Sequence, residues 1–132
     1  MSTLATQSKL DAFTTAYIEC ALWASSDGNG ESFEDCYISD IDESSLRAII
    51  SVCQDFQESN TELLTKWYEH GETPERAGHD FWLTRNRHGA GFWDRYNDAL
   101  PEGKLGRQLT DNAHSYGECD VYVGDDEKLY FS

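Results

Sequence analysis

The sequence predicts an α+β fold that is mainly α, with three or four helices and a C-terminal β-hairpin packed on them. Apolar residues recur at three- and four-residue steps through most of the chain, which is the spacing of a helix face. After position 120 the period shortens to two, which is the spacing of a strand. Aromatic residues make up 13% of the 132 positions, and their apolar area argues against disorder. The length predicts a single domain over residues 1–132. Its first part, 1–72, is acidic and helical; its second, 73–132, carries an arginine and aromatic block, a helix and the hairpin.

In the first element Leu10, Phe13, Tyr17, Cys20 and Ala24 share one helix face. Asp27-Gly28-Asn29-Gly30 ends it, since glycine and asparagine tolerate left-handed backbone angles. An acidic connection follows from Glu31 to Glu43, with Phe33 and Tyr37 pinning it to the core. A long helix begins near Asp42 or Ser44 and runs to about His70, with Gly71 as its stop. Its apolar arc is formed by Leu46, Ile49, Ile50, Cys53, Phe56, Leu63, Leu64 and Trp67, and is wide enough to pack on two neighbours.

Thr73-Pro74-Glu75 starts a third helix, with Thr73 as cap and Pro74 at the first helical position. It carries Phe81, Trp82 and Arg85 and ends around His88-Gly89. Gly89-Ala90-Gly91 and Leu100-Pro101-Glu102-Gly103 read as turns, and a fourth helix spans about Lys104 to Tyr116. Val121 and Val123 alternate with Asp120 and Tyr122 as a strand, Gly124 to Glu127 turn, and Lys128 to Phe131 return. A hairpin alone is marginal, so it leans on the helices. Trp23, Trp67, Tyr68, Phe81, Trp82, Phe92 and Trp93 read as core or its margin.

Charge divides the chain sharply. The formal net charge is −15, from 25 acidic and 10 basic residues. Residues 31–72 hold 11 acidic against 2 basic residues, a net of −9, whereas residues 73–110 hold 6 basic and 5 acidic, a net of +1. Direct nucleic-acid binding is disfavoured, because phosphate meets repulsion over most of the surface. An acidic membrane is disfavoured for the same reason, and no apolar run approaches the ~20 residues of a membrane span. The N-terminus lacks a basic-then-apolar export signal. Cys20, Cys36, Cys53 and Cys119 form no CxxC pair, so they read as reduced thiols of a cytoplasmic protein, with no metal site and no cofactor.

Asp55, Glu58, Glu62 and Glu69 fall within a ~60° stripe of the long helix, opposite its apolar arc. At ~1.5 Å per residue, Asp55 to Glu58 is about 4.5 Å along the axis and Glu58 to Glu62 about 6 Å. Such a row imitates the regular phosphates of a nucleic-acid strand. Asp35, Asp40, Asp42 and Glu43 add to the same field. The plainer reading is a solvated helix face that serves only solubility, but self-repulsion at this charge destabilises a small domain.

The densest stretch is His79 to Arg95, HDFWLTRN-R-HGAGFWDR. It resembles a block found in small, uncharacterised bacteriophage-encoded proteins, HDFWLTRN-x-HGAGFWDR, where x is glycine and this chain has Arg87. The resemblance spans residues 78–131, includes the later VYVGDD, and implies a phage origin without implying an activity. His79, Asp80, Arg85, His88, Asp94 and Arg95 have the residue types of a ligand, metal or catalytic site. On one continuous helix His79 and His88 are about 180° apart, which opposes a shared metal. Alternatively Asp80 and Asp94 fix Arg85 or Arg95 in partly buried pairs.

The expected function is therefore that of an acidic binding protein without catalysis, acting in the host bacterial cytoplasm if phage-encoded. The sharper expectation is nucleic-acid mimicry, with the acidic surface in the basic groove of a host nuclease or DNA-processing enzyme. The alternative is a small enzyme or a ligand- or metal-binding domain centred on the His79–Arg95 block.

Overall fold

A computed structural model describes residues 10–25, 33, 36–96 and 100–132. The Asp27–Gly30 turn and the acidic residues Glu31, Glu34 and Asp35 lie outside the described residues. Among those described, five α-helices run in chain order: α1 Ala12–Ala24, α2 Glu43–Ser59, α3 Thr61–Glu69, α4 Pro74–Arg85 and α5 Pro101–His114. Single 3-10 turns occupy Ile38–Asp40 and Phe92–Asp94. The antiparallel strands β1 Val121–Val123 and β2 Leu129–Phe131 close the order. The fold is thus mainly α with a C-terminal hairpin, as the periodicities predict.

Each helix start has a local cause. Asp11 accepts the Thr14 N–H at 2.8 Å, Asp42 accepts the Ser45 N–H at 3.1 Å, and Thr73 accepts the Arg76 N–H at 3.2 Å. Each side chain satisfies an amide that has no partner within the helix. Pro101 opens α5 at a first-turn position, where its missing N–H costs nothing. Leu100–Gly103 is therefore the cap and first turn of α5, correcting its reading as a separate turn.

The long helix expected up to His70 is two helices. Asn60 leaves helical geometry at φ −119° and ψ 23°. It is buried, and its backbone and side-chain N–H groups both donate to the Phe56 carbonyl, at 3.1 and 2.8 Å. Its Oδ1 accepts from the Asn112 amide at 2.6 Å, so the junction is fastened to α5. The buried face nevertheless passes through without changing sides, from Leu46, Ile50 and Cys53 through Phe56 and Asn60 to Leu64 and Trp67.

The core is an aromatic cluster drawn from both ends of the chain. Phe56 stacks on Phe81 with ring centroids 4.1 Å apart. Phe13, Tyr17, Trp67, Trp82 and Phe92 are all buried around them. Helix α1 packs chiefly on α4, and the approach is close: a Cβ built on Gly78 would sit 2.0 Å from the Phe13 carbonyl oxygen. The hairpin pairs Val121 with Phe131 and Val123 with Leu129. It leans on the start of α2, where the Asp42 N–H donates to Leu129 O at 2.8 Å and the Phe131 N–H to Ser45 Oγ at 3.2 Å.

Three aromatic residues depart from expectation. Trp23 is 62% exposed and Trp93 47%, so neither is core. Phe33 is buried, but Tyr37 is 73% exposed and pins nothing. Periodicity does not separate Trp23 and Trp93 from their buried neighbours, since α1 buries Phe13 and Tyr17 and the Phe92–Asp94 turn buries Phe92.

Candidate functional site

Two surfaces hold the residues singled out from the sequence. The first is the outer side of α2 and α3. Asp55, Glu58, Glu62 and Glu69 are all exposed there. Because the buried face is continuous across Asn60, all four lie on the side away from the core, on two helices rather than one. The side chains of Glu58, Glu62 and Glu69 accept no hydrogen bond or ion pair among the described residues.

Asp55, the first member of the row, and the described supporting carboxylates Asp40, Asp42 and Glu43 are engaged in the structure. Asp55 accepts a hydrogen bond from the Tyr116 hydroxyl. Burial, that hydrogen bond and the Asp55 charge push the Tyr116 phenol up to about 12. Asp40 accepts the Tyr37 N–H at 2.7 Å. Asp42 caps α2 and accepts from the Ser44 hydroxyl, a bond that holds its carboxyl below the usual carboxylate range. Glu43 pairs with Arg47 one turn on, at 2.9 Å. The acidic row thus separates into three unengaged glutamates and a set of carboxylates with structural duties. Asp35 lies outside the described residues.

The fold divides the arginine and aromatic block, turning Arg85 inward and leaving His79, His88, Asp94 and Arg95 around one depression. Arg85 is buried, and its guanidinium donates to Tyr116 O at 3.0 Å, Gly117 O at 2.9 Å and the Tyr17 hydroxyl at 3.0 Å. Both carbonyls follow the end of α5, where the helix dipole places partial negative charge. This cation is therefore held by a helix C-terminus and not by Asp80 or Asp94. Asp80, fully buried, receives a two-pronged bond from Arg95 instead, Nε at 2.9 Å and Nη2 at 2.6 Å. Asp94 accepts the Gly91 N–H at 2.9 Å and so braces the turn.

Helix α4 ends at Arg85, three residues before the expected stop, and the chain then reverses. Arg87 takes φ +56°, a left-handed angle that glycine adopts at no cost. His88 consequently leaves the helix, and the 180° separation from His79 that a continuous helix implies does not hold. His79, His88, Asp94 and Arg95 line one depression of about 510 Å³. Among the described residues no group of three His, Cys, Asp or Glu side chains is placed to hold a metal ion.

That depression continues into a groove of about 620 Å³ between α1 and α4, and the two share Trp23, His79 and Arg95. The Trp23 and His79 rings lie 6.4 Å apart at 33°. His79 Nδ1 is 3.7 Å from Asp80. Sequence reasoning missed Trp23, Glu19, Glu75 and Arg76 as members of this surface. Glu19 and Trp23 are one turn apart on α1, and Glu75 and His79 one turn apart on α4; only the pairing of the two helices joins them.

Comparison with protein-family models, with curated proteins and with solved structures found no match. No helix among the described residues is long and apolar enough to cross a membrane.

Proposed function

We propose that this protein is an acidic binding protein of phage type, acting in the cytoplasm of a bacterial host. Its α2–α3 face takes the place of a nucleic-acid strand in the basic groove of a host nuclease or DNA-processing enzyme. The supporting observation is how the fold sorts charge. Arg85 is buried, Arg95 is bound to buried Asp80 and Arg47 to Glu43, whereas Glu58, Glu62 and Glu69 face outward unengaged. Within the neutral island Arg85 and Arg95 are taken up by internal bonds, whereas Arg76, Arg87, Lys104 and Arg107 remain exposed on elements other than those of the glutamate row.

Glu58, Glu62 and Glu69 form the contact row in this reading, with Asp55 held in place by Tyr116. Asp40, Asp42 and Glu43 contribute field rather than contact, since their oxygens already serve backbone amides or Arg47. Electrostatic steering makes association fast and sensitive to salt.

The test uses Glu58→Gln/Glu62→Gln/Glu69→Gln against the unaltered protein as baits in bacterial lysate, with and without competing DNA. The variant keeps its helical circular dichroism, because none of the three carboxylates bears structure. A DNA-binding protein retained only by the acidic bait, and displaced by DNA, is the expected result. Equal retention by both baits, or retention indifferent to DNA, overturns the mimicry.

A further inference from the structure

The groove between α1 and α4 has the chemistry of a second contact for the basic partner proposed above, and the inference drawn from it rests on that reading. Two helical pairs face each other across it: Glu19 and Trp23 on α1, Glu75 and His79 on α4. In each pair a carboxylate stands one turn from an aromatic ring, so both project from one helix side. Trp23 is the most exposed tryptophan described, and its ring is steadied by His79.

The charge balance in the groove decides what it recognises. Of its two arginines Arg95 is hydrogen-bonded to a buried carboxylate, whereas Arg76, over half exposed, only stands near one. Arg95 gives Nε and Nη2 to Asp80, and Arg76 leans on largely buried Glu72 at 3.8 Å. Glu19 and Glu75 accept no hydrogen bond or ion pair among the described residues. What remains open is an indole face flanked by two carboxylates, in a space large enough for a side chain. An anion is repelled there. A cation with a flat delocalised face gains from the ring quadrupole and from the carboxylates together. Guanidinium has that shape and pairs with carboxylates in two-pronged fashion, whereas ammonium is a compact, strongly hydrated point charge.

We propose that this groove seats an arginine side chain of the basic protein partner, its guanidinium lying on Trp23 between Glu19 and Glu75. Arg76 stands 3.8 Å from Glu72 at the edge of the seat.

The probe is a capped tri-arginine peptide titrated into ¹⁵N-labelled protein, with its citrulline and lysine counterparts as controls. The Trp23 indole N–H signal, assigned by its loss in Trp23→Phe, reports the groove. The backbone amides of 55–69 report the acidic face. Tri-arginine is expected to move the indole signal saturably, tri-lysine less, and the isosteric uncharged citrulline peptide not at all. Glu19→Gln/Glu75→Gln should weaken the arginine effect by about tenfold, the worth of two exposed ion pairs.

An unmoved Trp23 signal, or an equal response to citrulline, overturns the groove proposal. If the amides of 55–69 respond while Trp23 is silent, the groove is refuted and the acidic-face reading survives. If Trp23 responds and the glutamine-row bait still retains its partner, the groove stands and the acidic face is refuted.

Discussion

Replacing Gly78 by alanine separates two effects of opposite sign. Alanine is the better helix former, by about 1 kcal/mol in a helix interior, so propensity alone predicts stabilisation of α4. Packing predicts the reverse. The new Cβ would lie 2.0 Å from the Phe13 carbonyl oxygen, whereas carbon and oxygen normally approach no closer than about 3.3 Å. Phe13 O is backbone and cannot rotate away, so α1 and α4 must part by about 1.3 Å, the difference between those distances. A gap of about 0.5–1 Å already forfeits a quarter to a half of each contact across the interface. The Phe13–Phe81 and Tyr17–Trp82 ring contacts cross it. Overpacking of this kind costs about 1–3 kcal/mol, and backbone against backbone belongs at the upper end. After the propensity gain the net loss is about 2 kcal/mol, or a melting temperature lower by about 6–10 °C for a chain of this length. Urea denaturation followed by circular dichroism measures it, with exposed Ala48→Gly on α2 to calibrate propensity in this protein. A Gly78→Ala variant as stable as the parent, or more so, would show that the α1–α4 approach is not the constraint described.

Arg85→Met removes a cation that three acceptors share and leaves the Tyr116 and Gly117 carbonyls unpaired. The expected loss is about 3 kcal/mol in urea denaturation, with faster amide exchange after α5; a loss below about 1 kcal/mol would refute its anchoring role. Arg87→Gly relieves a left-handed angle and should stabilise by up to about 1 kcal/mol, whereas destabilisation would mean that the arginine side chain does more than turn the chain. Alkaline stability has a defined window. Burial pushes the Cys20 thiol and the Tyr68 phenol up to about 12, and burial with the Asp55 bond does the same for Tyr116. Values raised above those of the unfolded chain give stability that is complete below about pH 9 and is lost as pH climbs toward 12. Tyrosine absorbance at high pH should therefore show a late phase that coincides with loss of circular dichroism; a single phase near pH 10 with the helices intact would contradict it.

Local chemistry was readable where it acts within a few residues. Thr73-Pro74, the cap at Asp42 and the hairpin about Gly124–Glu127 are all short-range features, and each stands where expected. What failed was long-range. Asn60 reads as an unremarkable helix residue until Asn112, 52 positions away, supplies a partner for its side chain. The partner of Arg85 is a helix end about 30 residues on, invisible to any search for a nearby carboxylate. The pairing of Asp80 with an arginine was legible, since a fully buried carboxylate needs a cation, but the neighbourhood offered several. The acidic row was legible as composition and helix angle. Which members are free was legible only in part: Asp40, Asp42 and Glu43 are engaged by residues two to four positions away, but Tyr116 claims Asp55 across 61 positions.

The docking of the hairpin also has a temporal meaning. Ser45 and Phe131 are bonded across 86 positions, and Ile41 meets Leu129 in a lone parallel bridge. Contacts so distant along the chain raise the loop-closure cost and slow folding. On the ribosome, α2 emerges well before the strand that covers its first turn, and the apolar residues Ile41 and Leu46 wait uncovered meanwhile. The acidic character of the same stretch then has a second benefit: nascent chains at this stage repel one another, and the unfinished helix is kept from its own kind until the hairpin arrives.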